Sequence, residues 1–313
     1  MNTLLKFMAL TTLPLGVALA GDLPPLAWEP MPHDTGLALV NKTSGLPVWR
    51  VVCDPAQPKP YVYPLATLQG VGLTANAPAD HTWHHSLWFS WKYIDGVNYW
   101  EAEGAATNQN KGRTTIKSAS FRRGADFSAR VEMVLEYAPE GQPTVLREAR
   151  TMAFSAPRAD GSYAIDWDAR FTVGAREIKL DRTPPSGKSG GYAGLSLRFP
   201  KGLTGWDFLT SAGAQSADAG NGKPARWADF SGPTQSGPAA GIAVLEHPAN
   251  PRHPSAWYLN ASHPYFSPAL VYHEPMTLQP GATMRLRYRV LVHEGRADKE
   301  RLEAEFDQFA RLP

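Results

Sequence analysis

The segment "DHTWHHSLWFSWKYIDGVNYWE", Asp80 to Glu101, concentrates three of the chain's nine histidines in five residues and follows them with a run of aromatics. Histidine titrates near neutrality, so His81, His84 and His85 suit proton transfer or metal ligation. A metal site needs at least three convergent N or O donors. Two of these histidines are adjacent in sequence, so Glu101, His247 or His253 would have to complete a divalent or transition-metal set. The plain alternative is that the histidines cap a loop by bonding backbone groups. A second cluster, "EHPANPRHPSAWYLNASHPYFSP" from Glu246 to Pro268, carries Asn250, Arg252, His253 and His263 on proline-stiffened chain. "VYHEP" adds His273 and Glu274. Aromatics beside His, Arg, Asn and carboxylates are the side chains that hold a sugar: its C–H faces stack on rings and its hydroxyls take hydrogen bonds. Trp83, Trp88 and Trp100 stand next to the first cluster. Trp167 falls on an alternating apolar face and reads as core.

The elements that position these residues are strands. In "YAIDWDARFTV", Tyr163, Ile165, Trp167, Ala169, Phe171 and Val173 alternate with Asp166, Asp168, Arg170 and Thr172, the period of a half-buried strand. "TMRLRYRVLVH" and "ARVEMVLEY" repeat the pattern. Shorter candidates are Leu37–Val40, Thr114–Phe121, Leu146–Phe154, Leu195–Phe199 and Gly241–Leu245. "LWFSWKYI" predicts one more, with Leu87, Phe89, Trp91 and Tyr93 facing one way, followed by a turn in "DGVNYWE". Many strands divided by Pro/Gly turns, with no regular helices between them, predict an all-β antiparallel sandwich. A helix over about 297–312 is predicted by the stripe Leu302, Phe306, Phe309, Leu312, with Lys299/Glu303 and Arg301/Glu305 spaced as i,i+4 pairs. The small-residue loops Arg182–Gly194 and Ser211–Trp227 are long enough to be functional or mobile.

Residues 1–20 have a basic start, an apolar run and "ALA" before Gly21, the pattern of a secretory signal peptide. The expected protein is therefore exported and periplasmic, a single sandwich domain over 21–313. No membrane anchor is expected after cleavage, since no later segment is apolar enough to span a bilayer. The formal charge of +2 gives no reason to expect nucleic acid, and the lone Cys53 excludes an internal disulfide. GxSxG, HExxH, phosphate-loop and CxxC signatures are absent.

Seven segments in order carry a resemblance: "KPYVYPLATLQGVGLT", the Asp80–Glu101 stretch, "DRTPPSGKSGGYAGLSLRF", "WADFSG", "GIAVLEHPANPRHPSAWYL", "PYFSPALVYHEP" and "YRVLVHEG". Together they resemble a bacterial family of unknown function labelled "methane oxygenase PmoA". The match to its pattern runs through Asp80, His81, His84, His85, Leu87, Trp88 and Phe89, with Thr82 and Ser86 where Pro and Gly are common, and through Asn250, Arg252 and His253. The methane-oxidising subunit of that name is a membrane protein, which does not suit this chain. Members of the family look similar to carbohydrate-active sandwiches of the mutarotase-like type. The resemblance implies that fold with a C-terminal helix, and a carbohydrate as small-molecule ligand.

The combined expectation is an exported enzyme acting on a sugar or modified glycoside by acid–base chemistry, whether epimerase, lyase or hydrolase. His84 and either His253 or Glu274 would carry protons. His81 and Arg252 would orient hydroxyls or polarise a carbonyl, and Asp80 would hold a histidine tautomer. Asn250, His85 and the three tryptophans would bind substrate. No cofactor is required. The alternatives are a periplasmic sugar-binding protein without turnover, resting on Trp83, Trp88 or Trp100, and a metal-dependent enzyme using His81, His84 and His85.

Overall fold

The strand alternation read above builds two large antiparallel sheets in the computed structural model, which describes residues 23–32, 35–101, 111–187, 189–235 and 237–313. The segment expected to be a signal peptide lies outside the described residues. The first sheet has eight strands in the order Leu26–Pro30, Gly36–Asn41, Pro47–Val52, Tyr61–Leu65, Leu87–Ser90, Gly194–Arg198, Tyr265–Pro268 and Trp257–Asn260. The second runs Asp207–Thr210, Trp227–Pro233, Ala239–Glu246, Thr283–Glu294, Tyr163–Val173, Leu146–Phe154, Ala129–Pro139 and Gly112–Arg123. A small sheet joins Met276–Leu278, Ile178–Asp181, Tyr93–Ile94 and Val97–Asn98.

The core lies between the two large sheets. Leu39, Trp49, Leu87, Phe89, Leu195 and Phe266 of the first meet Val131, Ile165, Trp167, Phe171, Leu286 and Val290 of the second. Each such side chain contributes roughly 1.5–3 kcal/mol through burial. The opposite face of Tyr163–Val173 is charged, as its alternation requires. Asp166 takes Arg289 at 2.7 Å and Asp168 takes Arg285 at 2.6 Å across the neighbouring strand.

The helix spans Lys299–Ala310, and the Asp298 side chain caps it by accepting from the Arg301 amide at 3.0 Å. Leu302, Phe306 and Phe309 bury against Trp227, Leu245 and Leu291 on the outer face of the second sheet. Leu312 lies past the helix and is exposed. The expected i,i+4 ion pairs are replaced by tertiary ones. Glu303 pairs with Arg226, Glu305 with Arg158 and Arg289, and Arg301 with Asp160. For Glu303 and Glu305, arginines of the second sheet and its adjoining loops out-compete the cations one turn along the helix.

The expected strand "LWFSWKYI" ends early. Leu87–Ser90 pairs within the first sheet, and Tyr93–Ile94 crosses into the small one. Leu87, Phe89 and Trp91 face the core as expected, but after the crossing Ile94 is buried and Tyr93 is half-buried.

Candidate functional site

Alternation on three strands of the first sheet leaves aromatics on its outer face. Leu87 and Phe89 point inward and Trp88 outward; Trp257 and Leu259 inward and Tyr258 outward; Phe266 inward and Tyr265 outward. Trp88, Trp100, Tyr258, Tyr265 and Tyr272 form a second apolar cluster there, with Tyr61, Trp83 and Tyr192 at its margin. Loops close over this cluster and carry the polar chemistry.

The histidine segment is a tight coil. The His81 amide donates to the Pro78 carbonyl at 2.8 Å, and the His84 amide to the His81 carbonyl at 2.9 Å. These turns stack the His81 and His84 rings with centroids 4.5 Å apart. His263, from the loop between Trp257–Asn260 and Tyr265–Pro268, stacks on His81 at 4.9 Å. Tyr192 and Ser189 arrive on the Arg182–Gly194 loop. Gly190 and Gly191 there both have positive φ, and a Cβ on Gly191 would sit 2.6 Å from the Tyr272 ring. His81, His84 and His263 with Tyr192, Tyr258, Tyr265 and Ser189 enclose a pocket of about 110 Å³.

A buried arginine sets the geometry. Arg198 is fully buried; its guanidinium donates to both Asp80 oxygens, at 3.0 and 3.2 Å, and to the His263 carbonyl at 3.4 Å. One side chain thus ties together the two loops that bring the three imidazoles. Asp80 also accepts from His81 Nδ1 at 2.8 Å and pairs with Lys201 at 3.1 Å. Burial raises the Asp80 pKa, but the bonds from His81, Lys201 and Arg198 outweigh it and hold the carboxyl well below the usual carboxylate range. With Nδ1–H given to Asp80, the neutral His81 ring keeps its lone pair on Nε2.

His84 is different. Burial first, and then electrostatic interaction with His81, Arg198, His263 and Lys59, which disfavours a further positive charge, push its pKa down to about 2. Burial, then His81 and Arg198, lower His263 to about 4. Both rings are neutral at pH 7. His84 Nδ1 is buried and has no hydrogen-bond partner among the described residues. Lys59 is itself buried and donates to the Trp100 carbonyl at 2.7 Å.

The structure brings together His81, His84 and Asp80, with Trp83 at the rim in edge contact with His81. Trp88 and Trp100 are fully buried beneath His84, so they form the floor and offer no face to a ligand. His85 turns away, stacking on Tyr61 at 4.3 Å with Nδ1 against Asn76. Glu101 is held by Lys92 at 2.5 Å and by Asn98 at 2.6 Å.

The Glu246–Glu274 segment does not join them as expected. His253 stacks on Phe306 of the C-terminal helix and lies 3.3 Å from buried Glu246. Asn250 bonds the Arg287 backbone in both directions, at 2.8 and 2.9 Å. Arg252 donates to the carbonyls of Leu270, Glu274 and Pro275, which makes it a loop staple. The Glu274 side chain is 75% exposed. His247 accepts from Arg287. Of that segment only His263, Tyr258 and Tyr265 reach the pocket.

Among the described residues no group of three His, Cys, Asp or Glu is placed to hold a metal ion. The reason is geometric. Imidazole lone pairs lie in the ring plane, so rings stacked face to face aim them side by side instead of at one point. The set His81, His84, His85 therefore does not assemble.

Tyr265 was read from sequence only as a member of the second cluster, and Tyr192, Tyr258, Arg198 and Lys201 were not singled out. The signal was present for two of these tyrosines. In "WYLN" and "YFSP" a tyrosine alternates with core aromatics, which marks an outward-facing aromatic on a strand.

No helix among the described residues is long and apolar enough to cross a membrane. Architectural likenesses are low in sequence identity. A protein of Klebsiella pneumoniae assigned as an aldose 1-epimerase superposes with a TM-score of 0.41 at 10% identity, covering 91% of this chain and 87% of that one. The galactose 1-epimerase of Lactobacillus acidophilus gives 0.38 at 10%, covering 87% and 100%. A heparan sulfate lyase HepC mutant from Pedobacter heparinus gives 0.38 at 11%, covering 85% of this chain and 34% of the lyase. No curated protein matches by sequence. The family model that does match carries no methane-oxygenase label; it covers residues 38–307, and the chain belongs to that family of unknown function, DUF6807.

Proposed function

We propose that the chain is an exported carbohydrate-active enzyme that works by proton transfer at the His81–His84–His263 pocket. The observation that carries this reading is the division of labour between two stacked imidazoles. His81 has its Nδ1–H fixed by Asp80, which compensates the charge formed when Nε2 takes up a proton. His84 is held neutral, its pKa pushed down to about 2, which makes it a poor base but a sound neutral hydrogen-bonding group. The roles expected from sequence are thereby exchanged: His81 carries the proton, and His84 orients a hydroxyl or polarises a carbonyl. His263 and Tyr192 complete the polar contacts, and Tyr258 with Trp83 supplies aromatic surface for a ring.

A volume of about 110 Å³ is the space of roughly four waters. It takes the edge of one terminal sugar ring with its hydroxyls, the rest of the ring lying at the mouth, and is below the ~300 Å³ at which drug-sized ligands begin to be enclosed. Epimerisation, elimination and hydrolysis all need a proton moved at such an end, and the products separate them. The test is to incubate the protein with mono- and oligosaccharides, neutral and uronic, and follow anomer exchange, new unsaturation and new reducing ends by NMR. Turnover lost in His81→Gln and weakened in His84→Gln is expected. Binding without turnover would make the chain a sugar-binding protein, and no binding to any sugar would sink the carbohydrate reading. Export is tested separately, by the N-terminal residue of the protein recovered from the periplasm.

A further inference from the structure

A second concavity, a groove of about 430 Å³, is linked to the histidine pocket through Lys201, which lines the groove and pairs with the carboxylate that holds His81 of the pocket. The Lys201 Nζ sits 3.1 Å from that Asp80 carboxylate. The groove's aromatic element is Trp206. That ring is half-buried and fixed in place: Nε1 donates to the Pro233 carbonyl at 2.8 Å, and a Cβ on Gly232 would lie 2.5 Å from the indole. Phe230 braces the ring at 5.1 Å. Leu203 adds apolar surface, and Thr204, Thr234 and Gln235 add polar groups. A pre-fixed indole with hydroxyl and amide neighbours offers a sugar ring a face to stack on at little entropic cost.

We propose that this groove is an accessory subsite for the inner residues of an oligosaccharide whose terminal ring enters the histidine pocket. The inference rests on the carbohydrate reading above and deepens it. It names the substrate class as a chain of at least two or three sugars, because the pocket is too small to hold more than its end.

The test is calorimetric titration of the whole protein with cello-, xylo- and galacturono-oligosaccharide ladders of one to six residues. The variants are Trp206→Ala and Thr204→Arg, the second of which blocks the exposed groove without touching the Trp206 packing. The expected result is affinity rising with length in at least one ladder. Both variants then lose about tenfold on the longer members and less than about twofold on the monosaccharide. Length dependence that is absent, or that survives in Thr204→Arg, overturns the subsite while leaving the pocket reading intact. If no ladder binds at any length, the carbohydrate reading falls and the subsite with it.

Discussion

His81 and His84 stack at 4.5 Å, yet only His81 has a carboxylate on its Nδ1; the Nδ1 of His84 is buried without a partner among the described residues. Two like rings in contact are thus given different chemistry by their surroundings, the general way in which neighbouring titratable groups are assigned different tasks. His81→Gln is expected to lower kcat by about 10²–10⁴, the usual worth of a positioned proton carrier. Asp80→Asn should lower it less while leaving substrate affinity near wild type. His253→Gln and Glu274→Gln should stay within about twofold of wild type, because His253 stacks on the helix and Glu274 is exposed. Steady-state kinetics on the substrate found by the product screen decide this; loss on His253→Gln with retention in His81→Gln would reverse the assignment.

Metal content separates the proton-transfer reading from the metal reading without any substrate. His85 is committed to Tyr61 and Asn76, Glu101 to Lys92 and Asn98, and His81 Nδ1 to Asp80. Protein purified without chelator or metal resin should carry less than about a tenth of an equivalent of any transition metal, since a tetrahedral site needs donors that converge. Near one equivalent, lost in His81→Gln, would restore the metal-dependent enzyme.

The fold was legible because its strands are long and half-buried. Tyr163–Val173 alternates inward and outward, and the helix stripe Leu302, Phe306, Phe309 is periodic. The site was legible only where its residues are local. Asp80, His81 and His84 are neighbours in sequence, whereas His263 and Arg198 reach them through pairings between strands distant along the chain. Arg150 shows the same limit. It lies inside the sandwich, bonded to Glu148 at 2.6 Å and set over Trp167, although its type predicts a surface. The second His-rich segment misled because composition does not say which face a loop presents. Arg252 and Asn250 are polar side chains consumed by backbone groups.

Stability should fall on acidification, and His84 and His263, both lowered, should share much of the slope. The folded pKa of His84 lies below its unfolded value of 6.5, so the neutral ring stabilises the fold above pH 6.5. Protonation is then resisted by the folded state at up to about 1.4 kcal/mol per pH unit below that. Asp80, also lowered, adds to the loss only below its ordinary carboxylate range near pH 4. His293 works in the opposite sense. Bonded to buried Asp229 at 2.7 Å, its pKa is raised in spite of burial, so its contribution is present below pH 6.5 and lost as pH rises. Denaturant melts between pH 7 and 5 should therefore show a decline that His84→Asn flattens and His293→Asn steepens. An unchanged slope in His84→Asn would mean that the ring is not buried as described.

Arg198 should matter for catalysis and stability together. It is fully buried, it anchors Asp80, and it reaches the His263 carbonyl, so its removal frees both loops. Removing one partner of a buried pair costs about 3–5 kcal/mol, and the partial exposure of Asp80 puts Arg198→Met toward the lower end. Arg198→Lys keeps the charge but not the planar fork that bonds both carboxylate oxygens and the carbonyl, so it should fold better than Arg198→Met and still lose turnover. Chemical denaturation read beside kcat tests this. Full activity in Arg198→Lys would show that the charge alone, and not the clamp, holds His81 in place.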